Sequence, residues 1–421
     1  MVVKVLAIGD VGNTIRTLRK FVKKSEIHLI NYPKDGSAFF VNLDGVELFK
    51  TRKVSEQVKR INQIKDDFDI CLTTASERIA YLADLNYIAY YLGRDIDAPM
   101  FEKNSTESWQ TEPLHKLNFF ERKFYWNSFK NAVEHIAGKW QFEYLSKYTK
   151  NAINTARDAV DTEQFNLNVK PIERKKTKFT FFSPLRLEKA KGSDLLWKAL
   201  KLCKSDFEIL CVDWFGEATK EERIFKQKLI DEMPSQVKLI PVIKQSEIAR
   251  YYKFADAVIA NLFIGTHESV CVESVLCGTP VIQYTNRKIK IIVDEREIKS
   301  PFLPFSNDPK LIAEIIDKFV DSKEFRQKLF EEEYKFVKEI CDPVKCGEWW
   351  DNLFVDLAKK HKSIKKNSSP LRVKLRLIYF LIANRLYSYK LKRLLTGSYE
   401  KTEQTIYDNP PEIQRTNQSK E

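Results

Sequence analysis

The 421-residue sequence lacks the patterns that usually indicate a metal centre, a disulfide framework or a membrane span. Its five histidines show no ligand spacing and its seven cysteines form no Cys-x2-Cys pair, so neither a metal site nor a disulfide framework is predicted. There is no stretch of about eighteen uninterrupted apolar residues, the length that predicts a transmembrane helix. The first apolar run is too short for a signal peptide and predicts a strand. A reducing, cytoplasmic environment is expected.

Positive charge is concentrated near the C-terminus. The net charge of the chain is +13. Residues 357–398 contain twelve Lys and Arg and no acidic residue, so this segment alone carries a charge of +12. Residues 399–421 contribute three bases and five acids, which leaves only +3 for residues 1–356. A nucleic-acid-binding domain usually carries a basic face on its folded body, so this distribution argues against nucleic acid as a partner.

Apolar runs alternate with helical patterns through most of the chain, which predicts an α/β fold with parallel sheets. The length and this alternation predict two doubly wound, Rossmann-like domains facing a cleft, with a C-terminal appendage. One long helical stretch is expected over Asn127–Tyr148. The predicted divisions are 1–168 (first domain), 169–342 (second domain), 343–361 (a helix packing back across the junction), 362–396 (a basic helix) and 397–421 (a disordered tail).

Two segments of the predicted second domain carry the strongest functional signal. Residues 183–192 place Arg186 and Lys191 on a loop between a strand and a helix, and residues 265–281 lead from a later strand into a short apolar helix that ends near Gly278. Such loops converge at the carboxyl edge of a parallel sheet, where α/β proteins bind ligands. Side-chain cations and a helix N-terminus both favour negative charge, so a diphosphate site is predicted.

Glu273 is the only charged residue between Ser269 and Gly278. A carboxylate on a mostly buried helix is costly unless hydrogen-bond donors meet it. Ser269 lies one turn earlier on the same face, and ribose hydroxyls would supply donors in a polar cleft. An edge residue paired with a Lys is the alternative interpretation.

The order strand, R-x4-K-G, helix, strand, loop and E-[AS]-x3-G-[ST]-P-V resembles the second half of the retaining GT-B glycosyltransferases of the large family 4 type, the glycosyl transferases group 1. By this resemblance Arg186 and Lys191 hold the donor diphosphate and Glu273 holds the ribose of the nucleotide. The turn with Thr266 and His267 is expected to belong to the same donor site, and a capping or packing role is the alternative interpretation for His267.

Two positions depart from the family pattern. Gly265 stands where the family usually has a Glu that touches the donor sugar, so sugar recognition must differ. Thr74 stands where many members carry a His, and a Thr cannot act as an acid or base near neutral pH. The loop from Gly9 to Gly12 would allow close approach of a substrate, but it lacks G-x-G-x-x-G, and a plain turn explains it equally well.

The resemblance implies sugar transfer from a nucleoside-diphosphate sugar to a hydroxyl acceptor, with retention and without a required metal or other cofactor. A non-catalytic nucleotide-sugar-binding subunit and a sugar-nucleotide epimerase stay open as alternatives. Asp95 and Asp97 form a D-x-D pair, which we interpret as a turn at a strand end and not as a metal site.

The predicted helix at 371–395 has two apolar stripes with basic residues between them. One stripe is expected to pack on the body and the other to enter the headgroup region of an anionic membrane. This would place the protein on the inner face of the cell membrane, close to a lipid-linked glycan acceptor. Burial against a partner subunit is the alternative.

Overall fold

The fold is described by a computed structural model. It covers residues 2–10, 12–32, 43–51, 53–92, 119–155, 157–216, 220–361, 364 and 369–386. The predictions for Asp95 and Asp97, for residues 387–395 of the basic helix and for the tail at 397–421 lie outside these residues.

A parallel sheet of seven strands forms the first domain, in the order β3-β2-β1-β4-β5-β6-β7. Its strands are β1 Val3–Ile8, β2 Ser25–Asn31, β3 Glu47–Leu48, β4 Ile70–Thr73, β5 Tyr87–Tyr90, β6 Glu134–Ala137 and β7 Ala152–Asn154. Its helices are α1 Thr14–Phe21, α2 Val54–Ile64, α3 Glu77–Leu82, α4 Phe119–Asn131 and α5 Lys139–Leu145. The central strands are buried on both faces, which explains their continuous apolar runs. The strand order reverses between β1 and β4.

The second domain contains a five-stranded parallel sheet in the order β10-β9-β8-β11-β12. Its strands are β8 Phe179–Ser183, β9 Phe207–Val212, β10 Val237–Ile240, β11 Ala257–Ile259 and β12 Val281–Ile282, followed by the hairpin of β13 Ile291–Val293 and β14 Arg296–Ile298. Its helices are α6 Ser193–Leu200, α7 Lys220–Asp231, α8 Ile248–Phe254, α9 Ser269–Leu276, α10 Pro309–Asp321 and α11 Lys323–Ile340. The order reverses between β8 and β11. The predicted α/β fold of two doubly wound domains is therefore confirmed.

The prediction of one helical stretch over Asn127–Tyr148 is wrong. The chain forms the end of α4, then strand β6, then α5. Two polar residues of β6, Glu134 and His135, are 4% and 2% exposed. Glu134 pairs with Lys360, and His135 accepts or donates a hydrogen bond at 3.1 Å to the hydroxyl of Tyr91. Polar side chains are unusual in a buried strand, but Lys360 and Tyr91, both distant in sequence, pair with the two polar groups of β6.

Two C-terminal helices, α12 (Pro343–His361) and α13 (Pro370–Leu386), pack on the first domain. In α12, Asp351 accepts hydrogen bonds from the backbone N–H groups of Lys23 and Lys24. In α13, Arg376 is 2.7 Å from Asp84, and the ring of Phe380 packs on α4. The chain thus returns from the second domain to cover the first.

Candidate functional site

The loops that follow β8 and β11 lie side by side, because these strands are parallel neighbours at the reversal of the strand order. Gly192, with φ +77°, ends the first loop, and a Cβ on it would be 3.0 Å from Leu262 in the second. The N–H of Leu262 donates to the carbonyl of Lys191 at 3.2 Å. This close packing brings both predicted loops to one edge of the sheet, as ligand sites of α/β proteins require.

Lys191 lies at the mouth of α9. Its Nζ is 2.7 Å from Oε1 of Glu268, the residue that precedes the first turn of α9. The amide of Asn261 donates to the same oxygen at 2.9 Å, and its own oxygen accepts from the N–H groups of Phe263 and Ile264. The side chain of Lys191 is 24% exposed, so its charged group is not fully enclosed by protein.

Arg186 is placed differently. Its guanidinium pairs with Glu188, with Nε 2.7 Å from Oε2, and lies 5.3 Å from the ring centre of Trp214. The side chain is 42% exposed. Among the described residues Arg186 forms no hydrogen bond or ion pair with α9, so the two predicted cations share a loop but do not touch the same group.

The turn before α9 presents polar groups that have no partner in the described part of the chain. The backbone N–H groups of residues 265–269 donate to no described residue, and α9 has no side-chain cap. The buried hydroxyl of Thr266 likewise lacks a partner among the described residues. Uncapped N–H groups beside an ammonium favour an anion at this position.

The conformation of Gly265 explains why no Glu stands there. Its φ is +80°, and a Cβ would be 2.7 Å from Cβ of Asn286 and 2.9 Å from the ring of Tyr284. A side chain would therefore be both strained and crowded. The loop is built without the acidic group that the family usually has at this position.

Glu273 is half-buried on α9 and accepts a hydrogen bond of 2.9 Å from the hydroxyl of Tyr252. Among the described residues its hydrogen-bond partner is thus a Tyr, and no Lys pairs with it. Burial raises the pKa of Glu273 to about 7, although the hydrogen bond from Tyr252 lowers it. Ser269 is exposed at the start of the same helix.

His267 is buried and joins the two domains. Its Nε2 is 3.2 Å from Oδ2 of Asp158, and the same oxygen is 3.0 Å from Nζ of Lys139, the first residue of α5. Burial and the charge of Lys139 lower the pKa of His267 to about 4, against the opposing effect of Asp158. Burial opposes ionisation of Asp158, but the charge of Lys139 and the hydrogen bond from His267 outweigh it and lower its pKa.

At the corresponding edge of the first sheet, Gly9 and Gly12 differ. Gly9 has φ +83°, and a Cβ on it would collide with Ser76 and the carbonyl of Thr74, whereas Gly12 is exposed and a Cβ on it would make only an ordinary contact of 3.7 Å with Oγ1 of Thr14. The hydroxyl of Thr74 donates to the carbonyl of Gly9 at 2.6 Å. Thr74 therefore fixes this loop, and only Gly12 leaves room for a substrate.

Sequence reasoning missed the roles of Lys139, Asp158, Tyr252 and Asn261. They reach the site from four separate segments, and no spacing links them to the two motifs. Of these four, only Asn261 could have been found from sequence, because it is a polar residue just beyond the end of β11, at the sheet edge where ligands bind.

Comparison with known proteins gives the class. Residues 164–336 match the family model described as Glycosyl transferases group 1. No curated protein shows significant sequence similarity to the chain. Solved structures resemble it at low identity: HepE of Anabaena in complex with UDP and glucose has a TM-score of 0.60 at 15% identity, over 84% of this chain and 100% of that one. Sucrose-phosphate synthase of Thermosynechococcus elongatus has a TM-score of 0.59 at 13% identity, over 84% and 100% of the two chains.

The two doubly wound domains and the site between β8 and β11 define a protein of the GT-B fold. The match to the model of the glycosyl transferases group 1 covers most of its second domain. Among the described residues, no helix has the length and apolar character needed to cross a bilayer.

Proposed function

We propose that the protein transfers a sugar, with retention, from a nucleoside-diphosphate sugar to a hydroxyl acceptor. The observation that carries this proposal is the ammonium of Lys191 beside the uncapped N-terminus of α9. The UDP and glucose bound to HepE, which has the same fold, support a nucleotide-sugar donor.

The chemical task is to stabilise the leaving group. As the bond between the anomeric carbon and the diphosphate oxygen breaks, negative charge grows on the diphosphate and the sugar becomes oxocarbenium-like. Arg186, Lys191 and the N–H groups of residues 266–269 would stabilise that charge, an electrostatic contribution that is usually the largest in such sites. These cations would serve in place of a metal ion.

The acceptor hydroxyl would attack the same face of the sugar. Its oxygen bonds to the anomeric carbon, and its proton passes to an oxygen of the leaving diphosphate. No protein base is then required, which fits the engagement of Thr74 in a hydrogen bond to Gly9. The carboxylate of Glu273 would accept hydrogen bonds from the ribose hydroxyls.

We further propose that the acceptor is a lipid-linked glycan at the inner face of the cell membrane. The outer face of α13 supports this, because five large aliphatic side chains on it are between 42% and 66% exposed: Leu371, Leu375, Ile378, Leu381 and Ile382. Arg372 and Lys374 are also exposed on this helix. An exposed apolar stripe next to cations fits an anionic lipid surface.

A donor panel tests the transfer. The purified protein is incubated with UDP-, GDP- and ADP-sugars, and released nucleoside diphosphate is measured with and without hydroxyl acceptors. Release that depends on Lys191 supports the proposal. Binding without release would support a non-catalytic subunit, and conversion of the sugar without release would support an epimerase.

A further inference from the structure

The contact between Lys139 and the donor loop connects the two domains directly at the candidate site. Lys139 belongs to the first domain, where it begins α5, while His267 belongs to the turn before α9. Nζ of Lys139 donates to the carbonyl oxygen of His267 at 3.3 Å. The peptide that bears this carbonyl leads into the N–H groups proposed to hold the diphosphate.

Asp158 completes the cluster from the segment between the two sheets. One of its carboxylate oxygens, Oδ2, contacts both Lys139 and the ring of His267, and its backbone N–H donates to Ile340 at the end of α11. Its side chain is 27% exposed and that of Lys139 is 14% exposed. A shared carboxylate of this kind fixes the relative position of all three segments, because charged hydrogen bonds strengthen away from water.

The backbone at Lys139 is also unusual. Its φ is +59°, in the left-handed region that residues with a side chain rarely adopt. Such conformations persist only where the surrounding structure holds them, and they concentrate at functional positions. The ring of His267 packs at 5.3 Å against Phe336, which limits its movement.

We propose that Lys139 is a positioning residue that, through Asp158 and the carbonyl of His267, aims the N–H groups of residues 266–269 at the donor diphosphate when the domains are closed. The inference rests on the proposed donor site. It adds that the first domain controls the donor site, so closure and diphosphate binding are coupled. Lys139 touches the loop and need not touch the substrate.

The test compares Lys139→Met, Lys139→Arg and Asp158→Asn with the unmodified chain, using UDP, inorganic pyrophosphate and uridine as probes. Misplaced N–H groups should weaken UDP and pyrophosphate binding and lower kcat/KM for the donor by about tenfold to a hundredfold. Uridine has no diphosphate, so its affinity should not change. Lys139→Arg retains the charge and should recover most of the loss.

The double variant Lys139→Met/Asp158→Asn separates positioning from a direct electrostatic role. If Lys139 acts through Asp158, Asp158→Asn also weakens UDP binding, and the double variant is no worse than Lys139→Met alone. If the ammonium acts directly on the diphosphate, Asp158→Asn leaves UDP binding unchanged or tighter, and the proposal is overturned. The double variant also removes the unpaired buried charge that could prevent Lys139→Met from folding.

Small-angle X-ray scattering provides a readout other than activity. Loss of the contact should increase the radius of gyration of ligand-free Lys139→Met but not that of Lys139→Arg. Normal kinetics and scattering of Lys139→Met, with Lys191→Ala inactive, would refute the positioning role and leave the proposed function intact. Full activity of Lys191→Ala would instead refute the donor site itself.

Discussion

The ammonium of Lys191 and the carboxylate of Glu268, 77 residues apart in sequence, lie 2.7 Å from each other at the mouth of α9. The positive charge proposed to bind the diphosphate is therefore already neutralised by a protein carboxylate. Arg186 is in the same situation with Glu188. An incoming diphosphate must compete with both carboxylates for the cations. Replacing either carboxylate should therefore change the affinity for the donor.

Replacing Glu268 by Gln should tighten binding of nucleoside diphosphates. The amide oxygen can still accept from Lys191 and Asn261, but it no longer offsets the ammonium charge. We expect Kd for UDP to fall by about threefold to tenfold at low ionic strength, and the gain to shrink with added salt. Isothermal titration at two salt concentrations measures this. Weaker UDP binding at both would mean that Glu268 orders the loop more than it competes with the ligand.

The variants Arg186→Ala and Lys191→Ala should each lower donor turnover by about a hundredfold or more, because each removes charge from the leaving-group site. Lys198→Ala is the matched control, since Lys198 is 58% exposed on the neighbouring helix α6. Circular dichroism and thermal unfolding should match the unmodified chain in all three. Near-normal turnover in both site variants would contradict the proposed leaving-group role.

The raised pKa of Glu273 predicts that the free energy of unfolding decreases as the pH rises. Its pKa is raised to about 7 in the folded chain, above the ordinary value of 4.5, so between these values the folded state holds a proton that the unfolded state has lost. The contribution of Glu273 to stability is therefore present below pH 4.5 and is lost as the pH rises through 7.

The variant Glu273→Gln should consequently gain stability over the unmodified chain as the pH rises from about 4.5 to about 8, by up to roughly 3 kcal/mol. If the carboxylate binds ribose, kcat/KM for the donor should also rise through pH 7 in the unmodified chain and not in the variant. Urea unfolding and donor kinetics at several pH values check both points. A rise in kcat/KM that persists in the variant would assign the titration to another group.

Much of this fold was accessible from sequence because its strands are buried on both faces. Strand Phe179–Ser183 coincides with an apolar run, and helix Val54–Ile64 coincides with apolar residues at helical spacing. Strand Glu134–Ala137 was missed because Glu134 and His135 are polar, and their partners Lys360 and Tyr91 are distant in sequence. A local sequence pattern cannot show that a buried polar side chain is hydrogen-bonded or ion-paired with a residue distant in the sequence.

The same limit applies to the site. The loops after β8 and β11 could be located, since parallel strands end at one edge of a sheet. The pairing of Lys191 with Glu268 and the reach of Lys139 to His267 could not, because each depends on how separate elements pack. The assigned roles of the predicted site residues stay predictions until variants are measured.

Comparison of Gly265→Ala with Gly45→Ala separates the stability lost through crowding from the stability lost through backbone strain. Gly45 is the control, because its φ is +69° and, chain neighbours apart, no atom of the described residues lies within 4 Å of the position that a Cβ would occupy. Gly45→Ala should cost about 1–2 kcal/mol from the left-handed backbone alone. Gly265→Ala should cost about 1–3 kcal/mol more, because its Cβ meets Tyr284 and Asn286. Equal losses in urea unfolding would show that the loop moves aside to accept a side chain.

The exposed face of α13 predicts binding to anionic membranes. Leu375 and Ile378 are 55% and 51% exposed, whereas Arg376 on the opposite face is buried against Asp84. Leu375→Gln/Ile378→Gln should therefore keep the fold and reduce flotation with vesicles containing anionic lipid. Leu311→Gln/Ile224→Gln is the matched control, because these residues are 42% and 60% exposed on the second domain.

Vesicles of neutral lipid separate the apolar contribution from the electrostatic one. The unmodified chain should float with anionic vesicles at low salt and largely lose that association with neutral vesicles or at high salt, since the basic residues of the helix act within a Debye length of about 10 Å at 0.1 M salt. Removal of residues 362–421 should abolish flotation. Unchanged flotation after this removal would leave the helix without a membrane role, and concentration-dependent dimerisation lost in Leu375→Gln/Ile378→Gln would assign the exposed face to a partner subunit.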